Sequence, residues 1–407
     1  MQLGTSRFYS ARQTLIRLGL VGPRTVAPFA WAAPAPDFVR NGEAGFVVSH
    51  IEYALSQDAE ETGACPNGLS LQMEEIFKLT PIGRRIPGES DEAYQQRLED
   101  GREALSTLEG GENICMHPEL AEPDPHFRTV ESSDVPVYGI SLEGAETFGA
   151  DPALAFPALE GDGRVENQFF RTVGCSRSWQ SRGQSNGYVI EMLTGAWGIV
   201  FSLSGVDDIT NDDQVEVGIH ANGDPIQLSP SREPLEYATY IIDQDPRFQA
   251  RTRGQIRDGV LTTEPIDVRF HQVVNGMLLE RTLRDARLQV TISEDGELEG
   301  YLSGYTPVED MYDYQFGYRN GMDPTGGPAP LQRRIGSANG AAYVLGHTCH
   351  GVYHALYENA DGHPDPETGQ FTSISTQYKI EAIPAFVVDT MEGGSKHEPI
   401  RQTAGSE

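Results

Sequence analysis

Asn275-Gly-Met-Leu-Leu-Glu-Arg-Thr-Leu-Arg-Asp-Ala-Arg-Leu-Gln-Val-Thr-Ile-Ser-Glu-Asp-Gly296 decides the fold class. Asn275-Gly276 and Asp295-Gly296 are two-residue hairpin signals, because Asn, Asp and Gly tolerate the left-handed backbone that a tight turn between antiparallel strands demands. Between them, Ala286-Arg-Leu-Gln-Val-Thr-Ile292 alternates strictly. Successive strand side chains point to opposite faces, so Leu288, Val290 and Ile292 are expected in a core and Arg287, Gln289 and Thr291 toward water.

Outward from this hairpin, short β-favouring runs recur between turn residues: Tyr188–Leu193, Trp197–Leu203, Gln214–Ile219, Tyr237–Ile242, Asp267–Val274, Met277–Leu283 and Glu297–Leu302. Ser373–Ile380 and Ile383–Val388 can close the same sheet. Regular short strands at this spacing predict a mainly β protein with added helices (α+β), its core an antiparallel β-sandwich or an open barrel. A small helical module is expected before it and a long helix, 341–357, near its end.

The chain divides accordingly into a leader over 1–36, a module over 37–117, an extended linker or wrap over 118–163, a β-rich main domain over 164–390 and a disordered tail over 391–407. In the module, Leu69–Leu79 carries a helical apolar face that Pro81 stops. Ser90 is a fitting N-cap for a second helix that Gly110-Gly111 ends. Gly45–Leu55 reads equally as strand or short helix.

Thirty basic residues face 60 acidic ones. A surface of that sign repels phosphate backbones and anionic headgroups, which argues against nucleic acid and membrane-surface partners. No apolar run approaches the roughly 20 residues needed to cross a bilayer, so no membrane insertion is expected. Residues 1–36 hold Arg7, Arg12, Arg17 and Arg24 but no acid, and end in Phe29-Ala-Trp-Ala-Ala-Pro-Ala-Pro36. That pattern fits an export signal, with an organelle transit peptide as the alternative. It points to a periplasmic or extracellular protein.

Cys65, Cys115, Cys175 and Cys349 are an even number at long spacings, without the C-x-x-C pair of metal ribbons. They read as disulfides, or as buried thiols in a reducing compartment. If each bridge belongs to one module, Cys65 pairs with Cys115 and Cys175 with Cys349.

Several groups can carry chemistry. The turn Gly205-Val-Asp-Asp-Ile-Thr-Asn-Asp-Asp213 offers Asp207, Asp208, Asn211, Asp212 and Asp213 as oxygen ligands for calcium; solvated turn-capping acids are the plainer use. Asp361, Asp365 and Glu367 form a second acidic loop that is either a calcium site or an ordinary helix exit. On an unbroken helix over 341–357, Leu345, Cys349, Val352 and Leu356 share one side, and His347, His350 and His354 the other. Three imidazoles on one stripe can hold zinc or copper, or can simply line a polar face. His347-Thr-Cys-His350 has the end of a haem c attachment motif but lacks its first cysteine, which argues against haem.

No G-x-S-x-G and no Gly-rich phosphate loop is present. Glu309 and Asp310 beside Tyr312 are a carboxylate pair of the sort glycosidases use, in a chain where acids are too abundant for adjacency to inform. Tyr301, Tyr305, Tyr312, Tyr314, Phe316 and Tyr318 offer stacking faces for a carbohydrate, but their spacing suits core packing better. The expectation is an exported non-catalytic binding or structural β-sandwich protein, calcium-stabilised, that meets a ligand or cell-surface component. The alternative is a metal-dependent enzyme or metal-binding protein using the histidine stripe.

Overall fold

A computed structural model describes residues 37–54, 63–142, 154–161, 163–180, 192–193, 197–274, 277–318, 332–333 and 335–390. The expected leader and tail, the Asn275-Gly276 turn and most of the expected strand Tyr188–Leu193 lie outside the described residues. The described residues fall in one compact unit.

In chain order the strands are β1 (Glu43–Tyr53), β2 (Phe156–Pro157), β3 (Arg164–Val165), β4 (Ile199–Ser204), β5 (Asp212–Ala221), β6 (Thr239–Ile241), β7 (Gln249–Arg257) and β8 (Val260–Thr263). They continue as β9 (Ile266–Val274), β10 (Met277–Ile292), β11 (Leu298–Pro307), β12 (Gly317–Tyr318), β13 (Gln332–Arg333), β14 (Gly362–Pro364), β15 (Phe371–Pro384) and β16 (Phe386–Val388). The helices are α1 (Met73–Leu79), α2 (Asp91–Leu105), α3 (Gln168–Val173), α4 (Arg177–Gln180), α5 (Val308–Phe316), α6 (Ile335–Leu345) and α7 (Cys349–Glu358).

One antiparallel sheet dominates. Its pairing runs β1–β4–β5–β7–β8–β10–β11–β15, and β15 pairs back onto β1, so the ladder closes into a ring. β9 forms a hairpin with β10, Val274 opposite Met277, and β14 adds to β15. The deciding stretch behaves as its alternation predicts: Leu288 and Val290 are buried and Thr291 is exposed. The two runs expected either side of Arg284-Asp285 are one strand interrupted by a bulge, with Asp285 at φ 47°. The extra residue keeps Leu279, Arg281 and Leu283 buried before the bulge and Ala286, Leu288 and Val290 buried after it. β1 uses the same device between Val48 and His50, which leaves Phe46, Val48, Ile51 and Tyr53 all buried.

Gly45–Leu55 is therefore strand as far as Tyr53, and the segment before 117 supplies a ring strand as well as helices. In α2, the Ser90 hydroxyl accepts from the Ala93 N–H at 3.2 Å, the cap its sequence predicts. Gly101 is required there, because a Cβ would sit 2.4 Å from the Phe77 ring of α1.

Within 118–163, the backbone at Ile140 is bonded to β15. Ile140 donates its N–H to Gln377 Oε1 at 3.1 Å, and Gln377 Nε2 donates to the carbonyls of Ile140 at 2.9 Å and Glu166 at 2.8 Å. The outward polar face of β15 is thus covered by backbone that satisfies it.

Two expectations need correction. The helix foreseen over 341–357 is broken into α6 and α7 at Gly346-His347-Thr348. Gly346 takes φ 81°, and a Cβ there would lie 2.6 Å from Arg177 Cβ, so the chain turns where only glycine fits. The disulfides are Cys65–Cys175 and Cys115–Cys349, not Cys65–Cys115 and Cys175–Cys349. Cys65 lies against Gly174 just past α3, and Cys115 lies against Asn339 of α6 and the start of α7, so each bridge crosses the divisions drawn on sequence.

Candidate functional site

The break after α6 takes the three histidines off a common stripe. His347 lies in the turn, 1% exposed, with Nδ1 3.2 Å from the Thr348 carbonyl. His354 turns its Nε2 to the Ala121 carbonyl at 2.6 Å. His350 is half-buried, and burial holds its pKa below the ordinary histidine value. Burial also pushes the His347 pKa down to about 4, so its ring is neutral at physiological pH. Among the described residues no three His, Cys, Asp or Glu side chains are grouped to hold a metal ion. Cys349 is bridged to Cys115 and has no thiol to offer a haem vinyl group.

Two acids of the first loop, Asp208 and Asp212, bond their own turn. Asp212 accepts the N–H groups of Asp207 at 2.8 Å and Gln214 at 3.0 Å, and Asp208 accepts that of Thr210 at 2.7 Å. Asn211 accepts the Asp258 N–H at 3.3 Å, and Asp213 pairs with Arg257. In the second loop β14 separates the acids. Asp365 caps its turn by accepting from Glu367 N at 3.0 Å and Thr368 N at 2.8 Å, while Glu367 is exposed. Asp361 is buried and accepts the Ser375 N–H at 2.7 Å. Burial pushes its carboxyl up to about 7, and the nearby Glu166 charge acts in the same direction.

Glu309 and Asp310 do not stand as a facing pair. Glu309 Oε1 accepts from the hydroxyls of Tyr353 at 3.0 Å and Tyr357 at 2.7 Å. One turn on, burial raises Asp313 to about 6 although Arg333 is bonded to it at 2.8 Å. The aromatic stretch packs inward: Tyr301, Tyr305, Tyr312 and Phe316 are all buried.

A group that sequence reasoning missed is Arg281, 3% exposed on β10. Its guanidinium donates to the hydroxyls of Tyr53 at 3.0 Å and of Tyr378, and lies 4.3 Å from the Tyr314 ring centroid. The three phenols hold the arginine's pKa above its already high value despite burial, so it is a permanent cation in an aromatic cage. Its signal in sequence was an arginine at an apolar position of the alternation, Leu279-Glu-Arg281-Thr-Leu283.

One cleft opens between α1, α2, α6 and the start of α7. It is lined by Met73, Arg102, Asn339, Tyr343, His347 and both sulfur-bearing residues of the Cys115–Cys349 bridge, and its cavity measures about 20 Å³. No family, curated protein or solved structure matches the chain.

Proposed function

We propose that the chain is an exported, non-catalytic binding or structural protein whose ring of strands is a closed barrel, braced from outside by two disulfides. The observation that carries this reading is the pair of bridges, which tie covering segments together across 110 and 234 residues. Such bridges persist in oxidising compartments, which fits the leader expected over 1–36. Among the described residues no helix is long and apolar enough to cross a membrane.

Phe46, Phe201, Tyr378 and Ile380 belong to the main buried core, and a packed interior puts ligand contact on the outer surface. The acidic balance of that surface favours a neutral or cationic ligand or cell-surface component. This reading does not rest on calcium at the acidic loops, where Asp208, Asp212 and Asp365 accept backbone N–H groups of their own turns. Cell fractionation combined with thiol counting tests the compartment. Protein outside the cytoplasm with no free thiol is the expected result; cytoplasmic protein with four free thiols would refute it.

A further inference from the structure

We propose that the Cys115–Cys349 bridge is a thiol–disulfide exchange site for a low-molecular-weight thiol, entered through the cleft between α1, α2 and α6. Three independent features meet there. The first is His347. Its Nδ1 faces the Thr348 carbonyl at 3.2 Å, so the ring proton resides on Nδ1 and Nε2 presents a lone pair. That Nε2 is buried without a hydrogen-bond partner among the described residues, in a side chain 1% exposed at the wall of the cleft. A buried acceptor left open is costly, and an S–H entering the cleft supplies the missing donor.

The second feature is the position of Cys349, first residue of the ten-residue α7, whose N-cap is Thr348. The N–H groups and dipole of a helix start stabilise a thiolate, so Cys349 is the better leaving group of the pair. The third is Asn339, whose Oδ1 lies 3.3 Å from Cys115 Sγ. In the disulfide this sulfur has no hydrogen to donate; reduced, Cys115 has an acceptor already in place. The cavity of about 20 Å³ admits a group the size of one water, which suits the head of a small thiol rather than a loop of a folded protein.

The exchange takes two steps. The thiol seated on His347 gives its proton to solvent as its sulfur attacks Cys115 Sγ, the Cys115–Cys349 bond breaks, and its electron pair leaves on Cys349. A second thiolate attacks the mixed disulfide at the small-molecule sulfur, releasing the oxidised small disulfide and the Cys115 thiolate. Both cysteines then take up the protons the two thiols gave, so two thiols are oxidised for one bridge reduced. His347 is a positioning residue that orients the incoming S–H.

The test is graded reduction of the native protein with glutathione, followed by alkylation and peptide mapping over time. Cys65 is the more exposed cysteine, so exposure alone predicts that Cys65–Cys175 opens first. The proposal predicts the reverse, Cys115 and Cys349 being alkylated at least tenfold faster. It further predicts that H347F slows that pair about tenfold without changing Cys65–Cys175, whereas H347Q, which keeps an acceptor, stays within about threefold of the wild type. Simultaneous opening of both bridges, earlier opening of Cys65–Cys175, or an unchanged rate in folded H347F would each overturn it. If H347F does not fold, the order of opening in the wild-type protein decides alone.

Discussion

The Ser375 N–H is bonded to Asp361 Oδ1 at 2.7 Å, fastening a buried carboxyl of the α7–β14 connection to the centre of β15. Burial raises this carboxyl from 3.8 to about 7 in the folded chain. The folded state therefore binds the proton more tightly than the unfolded state, so this group's contribution is fully present below about pH 4 and is lost as pH rises toward 7. His220 and His347, both depressed to about 4 by burial, act with the opposite sign between 4 and 6.5. Comparison with Asp361→Asn isolates the carboxyl: the wild-type melting midpoint should drop relative to the variant as pH rises from 5 to 8. Parallel curves would contradict it.

Arg281 is buried and held by Tyr53, Tyr314 and Tyr378. Truncation to Ala leaves two phenol oxygens without their cation and opens a void. Arg281→Ala should cost roughly 3–5 kcal/mol in denaturant unfolding. Arg281→Lys should recover only part of this, because an ammonium lacks the planar fork that reaches both hydroxyls. A loss below about 1 kcal/mol for Arg281→Ala would show that the cage is not a support.

Asp212 accepts two backbone N–H groups of its own turn. Asp212→Ala should therefore destabilise by about 1–2 kcal/mol, and by the same amount with added calcium as with EDTA. A wild-type midpoint that rises with calcium, and a variant midpoint that does not, would instead support the cation site expected from sequence, since a ligand bound only by the native state must raise stability.

The hairpin was legible because its side chains obey one rule, buried at every second position, and its bulge resets the parity without hiding it. β7 was not. Gln249-Ala-Arg-Thr-Arg-Gly-Gln-Ile-Arg257 buries only Ala250, Gly254 and Ile256, and one glycine among three arginines looks like a loop until its neighbours β5 and β8 are known. The same holds for the site. His347, His350 and His354 share a stripe only on an unbroken helix, and the break depends on how closely Arg177 approaches Gly346, a contact 169 positions apart in sequence that no local pattern encodes. The disulfide pairing failed for a related reason: it assumed that modules are contiguous in sequence, whereas both bridges join the segment before 117 to the main domain. Arg281 was visible as a charge in an apolar column, but its partners come from β1, α5 and β15.

The central claim is that two bridges clasp the covering segments of an exported β-protein, and peptide mapping without reductant on protein recovered from its native compartment tests it most directly. The account predicts one cross-linked peptide joining Cys65 to Cys175 and another joining Cys115 to Cys349, with no free thiol. A Cys65–Cys115 peptide, or four alkylatable thiols, would contradict it.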